Sequence, residues 1–365
     1  MLKRLYIDNF RCFVNFEYKP ERKQLLLGAN GSGKSSLLDA ILFTKWFIKD
    51  REIRFTQRTR TRWEPQSLQV VELEAELDGI SYLYRVEIRY SSDEQLPSVS
   101  LERLIVSGTP AFESIGGNIR FYSNEGKQAS TLKWKTTESA LHLAQQSNLH
   151  VSRFLDWLDT VHCFQIDPYP EEMQERADTE DALPEFDLSN LAPWYRHLLM
   201  VDPEANGYFL SALRDTLSEF HTLRFSSEDD GVRKLRAEFS SSGKRKTIFS
   251  LAELSEGQRM LIGLYMVLHF ILAKGHTVIL DEPDNFVALR EIQPWLIAAE
   301  EAVDEHKGQL ILISHHPEIL NQWAVDSGLL FTREENGYAR TKRFSEVTDT
   351  GLDPAETVAR GWEDE

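Results

Sequence analysis

The sequence is poor in cysteine and has no apolar run long enough to cross a bilayer. Its 365 residues include two cysteines, Cys12 and Cys163, whose positions form neither a disulfide framework nor a metal-binding spacing. This usage favours a reducing compartment. The longest apolar run, residues 260–273, is shorter than a membrane-spanning helix and contains a histidine. The N-terminus does not resemble a signal peptide, so we expect a cytoplasmic protein without a membrane partner.

The chain also lacks an excess of positive charge. Its formal net charge of −17 argues against a protein that coats nucleic acid nonspecifically, although local basic patches remain compatible with it. Residues 49–62 form such a patch, with six basic and two acidic side chains. A solvated loop is the ordinary interpretation of this basic segment, and a contact with a phosphate backbone is the alternative. Residues 171–187 have the opposite bias and predict an exposed connector.

Neither internal repeats nor heptads are present, and the span between Lys34 and Leu254 is too short for a long coiled-coil arm. Alternating apolar and polar residues over about 67–122 predict an antiparallel β-layer with turns at Asp78-Gly79 and Ser107-Gly108. Helical spacing over 188–200 and 202–220 predicts two helices, with Ser189 and Asp202 as N-caps. The last third alternates helices and strands. We therefore predict an α/β fold in which helices flank a mixed, largely parallel sheet, accompanied by the β-layer and a helical lobe.

Residues 28–35, "GANGSGKS", follow an apolar strand pattern and precede a helix pattern, the context that a phosphate-binding loop requires. Backbone N–H groups of such a loop surround nucleotide phosphates, and the start of the helix adds a positive dipole. Lys34 would place a charge at the β- and γ-phosphates, and Ser35 a hydroxyl at Mg²⁺. A chance glycine-rich turn is the alternative. The predicted phosphate-binding residues are Asn30, Gly31, Ser32, Gly33, Lys34, Ser35 and Ser36.

Two further strand patterns end in groups that suit nucleotide chemistry. "TVILDEP", residues 277–283, delivers Asp281 and Glu282 to the carboxyl edge of a buried strand. Asp281 would hold the Mg²⁺ shell, and Glu282 would polarise the attacking water. The alternative interpretation of the Asp-Glu pair is a signal for the start of the next helix. "LILISHH", residues 310–316, places a histidine where it could sense the γ-phosphate. We favour His315 for this role, and capping of the next helix is the alternative for either histidine.

These motifs, in this order and together with "LSEGQ" at 254–258, resemble the head of the ATP-binding-cassette (ABC) ATPases. The opening "LYIDNFRCF" before "LLLGANGSGKSSLLDAI" is similar to the RecF/SMC-like branch rather than to transporter cassettes. The stretches "LSNLAPWYRHLL" and "DEPDNFVALREIQPWL" resemble the compact RecF-like ATPases of bacteria, many of which occur in genome-defence operons. The resemblance spans nearly the whole chain and is strongest at 1–48 and 250–325.

The resemblance implies ATP and Mg²⁺ as ligands and a head-to-tail dimer that closes around two ATP molecules. Ser255, Gly257 and Gln258 would then meet the γ-phosphate bound by the other subunit. Arg11 matches a position that touches nucleotide phosphates in this branch, with an exposed arginine of no function as the alternative. Gln165 best resembles the Mg²⁺-contacting glutamine, although Gln145 and Gln146 compete with it.

The sequence departs from the family pattern at two positions. Glu256 stands where the signature often has glycine, and Ala288 stands near the place of the aspartate that follows "DEP" in other cassettes. The first departure could weaken binding in trans, and the second puts communication between the two sites in doubt. We predict two lobes, the first formed by about 1–165 with 274–365 and the second by about 166–273.

The resulting hypothesis is an ATP-hydrolysing molecular switch. It would act on DNA, or control an associated nuclease or toxin, in genome maintenance such as DNA repair or in antiviral defence. An ATP-bound scaffold that holds a nuclease or toxin with negligible turnover is the first alternative. An energy-coupling subunit of a membrane transporter is the second, and the "NFR" opening argues against it.

Overall fold

The computed structural model describes residues 1–51, 53–91, 97–169, 171, 173–227, 233–240, 246–346 and 352–361. The chain divides into two compact units. Unit 1 comprises Met1–Val161 and Ala324–Glu365, and unit 2 comprises His162–Trp323. This division places 274–323 in unit 2. The predicted lobes, which separate the chain near 165 and 273, stay a prediction.

The described residues form strands and α-helices, with runs of consecutive strands at 68–133 and 220–250. Their bounds are β1 (Leu2–Asp8), β2 (Phe16–Tyr18), β3 (Lys23–Leu27), α1 (Lys34–Lys49), β4 (Leu68–Leu77), β5 (Ile80–Arg89), β6 (Ser98–Val106), β7 (Thr109–Ile115), β8 (Asn118–Tyr122), β9 (Gln128–Lys133), α2 (Leu149–Asp159), β10 (Val161–Phe164), α3 (Leu191–Val201), α4 (Pro203–Thr216), β11 (Phe220–Ser227), β12 (Arg233–Phe239), β13 (Thr247–Ser250), α5 (Glu256–Phe270), β14 (Thr277–Asp281), α6 (Leu289–His306), β15 (Gln309–Ile313), α7 (Pro317–Ser327), β16 (Gly328–Arg333), β17 (Ala339–Arg343) and α8 (Pro354–Ala359).

Unit 1 contains the predicted β-layer. It is an antiparallel sheet in the order β2-β1-β4-β5-β6-β7-β8-β9. The turns at 78–79 and 107–108 adopt positive φ at both central residues, as two-residue hairpins of the primed type require. The sheet also contains β1 and β2 at one edge and β9 at the other, all of them outside the predicted 67–122. Every residue of β9 is exposed, so its sequence lacks the alternation that marks a half-buried strand.

The parallel pairings lie within both units. In unit 1, β3 pairs with β16 in parallel, and β16 pairs with β17 in antiparallel register. In unit 2, all five residues of β14 and of β15 are buried and the two strands are parallel. Such continuous apolar strands are typical of sheets covered on both faces. The fold is thus the predicted α/β type with a mixed sheet.

The helices of unit 2 confirm one predicted cap and correct the other. The Asp202 carboxylate accepts a hydrogen bond from the Ala205 N–H at 3.0 Å and caps α4, as expected. Ser189 does not cap α3, because the helix begins one residue later, after Asn190. The Asn190 side chain instead contacts the Asp181 carboxylate and the Glu185 N–H, both at 2.8 Å.

After α4, the described residues 220–227, 233–239 and 247–250 form strands. The predicted helix over 202–220 ends at Thr216, and β11, which the sequence analysis missed, pairs with β12 in a three-stranded antiparallel sheet with β13. The Ser-Ser-Gly sequence at 241–243 also predicts a turn between two strands, and these residues lie outside the described ranges. Within the described ranges, no helix combines the length and apolarity needed to cross a membrane.

Candidate functional site

The loop between β3 and α1 has a backbone that requires glycine at two positions. Gly28 and Gly33 have φ values of +130° and +124°. A Cβ at Gly28 would lie 2.3 Å from the Phe331 carbonyl oxygen, and one at Gly33 would lie 2.9 Å from the Cys12 Sγ. Any side chain there would therefore clash as well as strain the backbone. The loop closes tightly onto its neighbours, as a phosphate-binding loop must.

Lys34 opens α1 and is 7% exposed. Its Nζ donates to the carbonyl oxygens of Gly28, at 2.5 Å, and Ala29, at 3.2 Å. Beside it, the buried Ser32 Oγ has no hydrogen-bond partner within the described part of the chain. A buried hydroxyl and an ammonium group at a helix start are what an oligophosphate would satisfy, so these residues fit a nucleotide. Ser35, the next residue, is exposed.

Arg333, at the end of β16, holds the phosphate loop from the other side. Its Nε and Nη2 donate to the Gly31 carbonyl oxygen at 3.0 and 2.7 Å, and its Nη1 donates to the Gly337 carbonyl oxygen at 2.6 Å. Sequence reasoning missed this residue, because an arginine at the end of a strand carries no signal of a contact 302 positions away. It positions the loop without belonging to the motif.

Arg11 lies against the first two turns of α1. Its φ is +50°, and its Nη1 pairs with the Asp39 carboxylate and lies 3.5 Å from the Ser36 Oγ. The guanidinium also stacks over the Phe10 ring at 5.5 Å. Burial raises the pKa of the Asp39 carboxyl, and the charge and hydrogen bond of Arg11 oppose that rise. Arg11 is thus an anchored residue beside the phosphate loop, and its contact with nucleotide stays a prediction.

In unit 2, the two predicted carboxylates lie at the end of β14: Asp281 is its last residue and Glu282 follows it. Asp281 is 6% exposed, whereas Glu282 is exposed and has a left-handed backbone with a φ of +50°. The Glu282 N–H donates to the Ile313 carbonyl oxygen at 2.8 Å, and the Asn285 Nδ2 donates to the Glu282 Oε2 at 2.7 Å. The strand end and Asn285 together fix where the Glu282 carboxylate lies.

A cavity of about 380 Å³ joins these carboxylates to one of the candidate glutamines. Gln165, Asp281, Glu282 and Asn285 all line it. The Gln165 N–H donates to the Phe186 carbonyl oxygen at 2.9 Å, and this bond holds the segment after β10 at the cavity. Gln145 and Gln146 lie in a turn of unit 1. Of the three glutamines, Gln165 is therefore the one that unit 2 places beside Asp281.

The two histidines after β15 have different surroundings. The His316 N–H donates to the Ser314 Oγ at 2.9 Å, and the His316 Nδ1 accepts from the Glu318 N–H at 3.2 Å, so His316 caps α7. His315 is exposed between these two anchored neighbours. The capping alternative therefore applies to His316, and the sensor role of His315 stays a prediction.

Asp284 is a half-buried residue that the sequence analysis did not single out. Burial raises the pKa of its carboxyl, and a hydrogen bond from Ser314 opposes that rise. Its Oδ1 is buried without a hydrogen-bond partner within the described residues. Asp284 thus connects the loop after Glu282 to the strand end that carries His315.

The signature segment begins α5 with a reciprocal cap. The Ser255 Oγ accepts from the Gln258 N–H at 3.2 Å, and the Ser255 N–H donates to the Gln258 Oε1 at 2.9 Å. A Cβ at Gly257 would lie 2.6 Å from the Phe286 carbonyl oxygen, so only glycine lets the loop after Glu282 approach the start of this helix. Glu256 is exposed in the first turn, where a carboxylate favours the helix dipole.

Arg259, one residue after the signature, is buried and makes its hydrogen bonds to backbone carbonyl groups. Its guanidinium donates to the carbonyl oxygens of Pro168, Leu251 and Leu254. Burial lowers the pKa of this guanidinium. Arg259 therefore ties the segment that follows Gln165 to the segment that precedes Ser255.

The basic segment, residues 49–62, divides into arginines with partners in the fold and arginines that project outward. Arg54 lies 3.8 Å from the centre of the Trp46 ring, and Arg60 donates to Gln57 and to the Gln66 carbonyl oxygen. Arg58 and Arg62 are exposed. Arg54 and Arg60 are therefore held by contacts within the fold. Arg58 and Arg62, like the exposed Arg51, are placed for contact with an outside partner.

The comparisons with known proteins cover most of the chain. Residues 25–321 match a family model described as "AAA domain, putative AbiEii toxin, Type IV TA system". No curated protein matches the chain.

Three solved structures share the fold at low sequence identity. The SMC head domain from Thermotoga maritima is 17% identical, with 94% of this chain and 98% of that chain covered and a TM-score of 0.50. An SmcHead bound to the C-winged helix domain of ScpA is 15% identical, with 93% and 96% covered and a TM-score of 0.55. An Smc head domain with an extended coiled coil, derived from Pyrococcus furiosus and bound to the C-terminal domain of ScpA, is 12% identical, with 100% and 98% covered and a TM-score of 0.54.

Proposed function

The chain belongs to the AAA-domain family described as putative AbiEii toxin, type IV TA system, and from this premise we propose that it is an Mg²⁺-dependent ATPase that acts as a molecular switch. The observation that carries the proposal is the shape of the loop at 28–33. Two glycines in strained backbone let it close onto Phe331 and Cys12, and Lys34 begins the following helix. A chance glycine-rich turn would not need both close approaches.

The residues of the site have distinct roles in this proposal. Lys34 and the loop N–H groups bind the phosphates, and Arg11 and Ser36 flank them at the first turns of α1. The oxygens of Ser35, Asp281 and Gln165 suit Mg²⁺, which prefers oxygen ligands. When bound, that ion would neutralise charge on the phosphate oxygens.

Glu282 would orient the attacking water and accept its proton. The hydrogen bond from Asn285 supports this role, because it holds one carboxylate oxygen in place and leaves the other available. His315 would hydrogen-bond the γ-phosphate and register its loss. Its anchored neighbours, Ser314 and His316, fix the backbone on either side.

We further propose that two copies pair head to tail around ATP. The start of α5 supports this, because a capped helix N-terminus offers N–H groups and a positive dipole to an anion. The Ser255 Oγ already accepts from Gln258, and its own hydroxyl hydrogen remains available for a phosphate of the other subunit. Gly257 and Gln258 would complete this half-site.

Nucleotide-dependent assembly tests the proposal. With Mg²⁺ and a nonhydrolysable ATP analogue, light scattering should report a particle about twice the mass seen without nucleotide, as expected for a symmetric pair. Lys34→Ala should stay at the smaller mass, because it removes the ammonium group at the phosphates. Assembly that ignores nucleotide, with Lys34→Ala behaving as the wild type, would contradict the ATP-sandwiched dimer.

The target of the switch is proposed to be DNA or an associated effector protein in genome maintenance or defence. The family description, a putative AbiEii toxin of a type IV TA system, supports a role in defence. The exposed pair Arg58 and Arg62 supports contact with a phosphate backbone.

Replacing Arg58 and Arg62 with glutamine should weaken DNA binding and lower the salt slope by about 1 for each phosphate that is no longer neutralised. Affinity would be measured for duplex DNA at several salt concentrations. Arg22→Gln with Lys133→Gln, which removes the same charge from exposed positions elsewhere in unit 1, should bind like the wild type. If both double variants lower affinity equally, the effect is one of net charge and the basic segment is only a solvated loop.

A further inference from the structure

Unit 2 contains a second cavity, separate from the one beside Asp281. It has a volume of about 590 Å³ and lies between α4 and α6, with the end of α5 as its floor. Its walls come from Glu204 and Tyr208 on α4 and from residues 298–306 on α6. This groove, as we call it below, has no part in the proposed ATP site.

The lining of the groove is apolar inside and acidic at its edges. Residues three and four apart lie on one face of a helix, so α6 presents Ala298 and Ala302 to the interior and Glu301 and Glu305 beside them. The small alanine side chains make the groove deep. Across from them, the Tyr208 ring on α4 is 63% exposed.

The charge of the groove is negative on balance. The Asp202 carboxylate is paired with Lys274, which lowers its pKa. Glu204 and Glu301 have no ion-pair partner in the described ranges, and the Glu305 carboxylate lies 3.8 Å from the His306 Nε2. Three carboxylates around an apolar cleft attract a partner that combines apolar and cationic side chains.

His269 adds an unsatisfied polar atom to the floor. Its Nε2 is buried and has no hydrogen-bond partner in the described chain. Burial lowers the pKa of His269 to about 4, so the ring is neutral at pH 7. The ring stacks on Tyr265 at 6.2 Å and meets the Phe209 ring edge-on at 6.5 Å, which fixes its plane. A buried ring nitrogen of this kind is normally satisfied by a partner group or by water.

We propose that the groove is the docking site for a basic amphipathic helix of a partner protein. A helix laid between two helices buries its apolar face in the cleft, and here it would place apolar side chains over Ala298 and Ala302. Lysine or arginine side chains on its flanks would reach Glu204, Glu301 and Glu305.

The groove is placed to communicate with nucleotide chemistry. α5 runs from the signature turn at Ser255 to the groove floor, about 22 Å over its 15 residues. α6 follows the loop that contains Glu282 and ends at the groove. A partner held there would contact the far ends of the two helices whose near ends carry the proposed catalytic and signature loops.

The test uses three labelled 18-residue peptides in fluorescence anisotropy, with nucleotide absent. The first has leucine and lysine at amphipathic helical spacing, the second has glutamate in place of lysine, and the third has glutamine in place of leucine. The first should bind at least tenfold more tightly than the other two. Equal binding of the first and third would mean that charge alone attracts the peptide, and this would overturn the proposal, as would no binding.

Variants locate the binding. Glu301→Lys with Glu305→Lys, and separately Ala302→Trp, should each weaken binding of the first peptide at least tenfold, the former through charge and the latter by filling the cleft. Asp326→Lys with Glu335→Lys makes the same change in net charge at exposed positions of unit 1 and should bind like the wild type. Glu301 and Glu305 are exposed, so the variant that reverses their charge should fold. It therefore keeps the test decisive even if Ala302→Trp does not fold. Unchanged affinity in the Glu301 and Glu305 variant would refute the assignment.

Binding in this assay does not depend on the proposed ATPase. Lys34→Ala should bind the first peptide as tightly as the wild type does, because the groove lies wholly within unit 2. If Lys34→Ala neither hydrolyses ATP nor assembles, yet binds the peptide, the two proposals hold separately. If the wild type binds the peptide but never ATP, only the proposed function fails.

Discussion

Glu282→Gln should bind ATP as the wild type does and hydrolyse it more slowly by roughly two to four orders of magnitude, the usual contribution of general-base help. The amide keeps the shape of the side chain, and its oxygen can still accept from the Asn285 Nδ2. It lacks the charge and basicity needed to take a proton from water. Binding should persist, because Lys34, Ser35 and Asp281 are unchanged.

The same variant should also remain dimeric with plain ATP, whereas the wild type relaxes as ATP is consumed. Turnover and particle mass would be measured together, with Glu171→Gln as a control for an exposed carboxylate of unit 2. Equal turnover in Glu282→Gln and the wild type would remove Glu282 from the catalytic role. An ATP-bound scaffold would then be the better description of the protein.

Ser255→Arg should abolish ATP-dependent assembly while each subunit still binds nucleotide. The bulky cation would occupy the space that the proposal gives to a phosphate of the other subunit. The substitution also breaks the reciprocal cap with Gln258, which costs about 1 kcal/mol of stability. Failure to assemble could therefore have two causes, and a second variant is needed to separate them.

Ser255→Ala removes the cap without adding bulk, so it provides that comparison. It should lower the melting temperature about as much as Ser255→Arg does and still assemble, if more weakly. Nucleotide affinity, particle mass and melting temperature would be compared for the two variants. If Ser255→Arg assembled at the nucleotide concentrations that suffice for the wild type, α5 would be an ordinary capped core helix whose start does not bind nucleotide.

The parts of the site that the sequence predicted are those built from consecutive residues. Strand, glycine loop and Lys34 follow one another between β3 and α1, so period and composition were enough to place them. The Arg333 contact with Gly31 was out of reach, because nothing in the sequence relates residues 302 positions apart. Likewise, the sequence favoured Gln165 without excluding Gln145 and Gln146, and the fold of unit 2 is what brings Gln165 to the cavity lined by Asp281.

Missed strands have a different explanation. β9 is exposed on every residue, and β17 is mostly polar, so neither shows the apolar alternation by which strands are recognised. Neighbouring strands supply the pairing that local sequence does not specify. For Gly257 the sequence motif was recognised, but the reason that glycine is needed there was not. That reason is the close approach of the Phe286 carbonyl oxygen, which only the structure shows.

The left-handed backbone of Glu282 sets the proposed activity against stability at one position. A side chain other than glycine or asparagine at a φ of +50° costs roughly 1 kcal/mol or more, and the bond from its N–H to Ile313 leaves the strand end no freedom to relax. Glu282→Gly and Glu282→Asn would relieve that strain. A laboratory selection for thermal stability alone should therefore favour glycine or asparagine at this position. The selected protein would be more stable, and under the proposed function it would bind ATP without hydrolysing it.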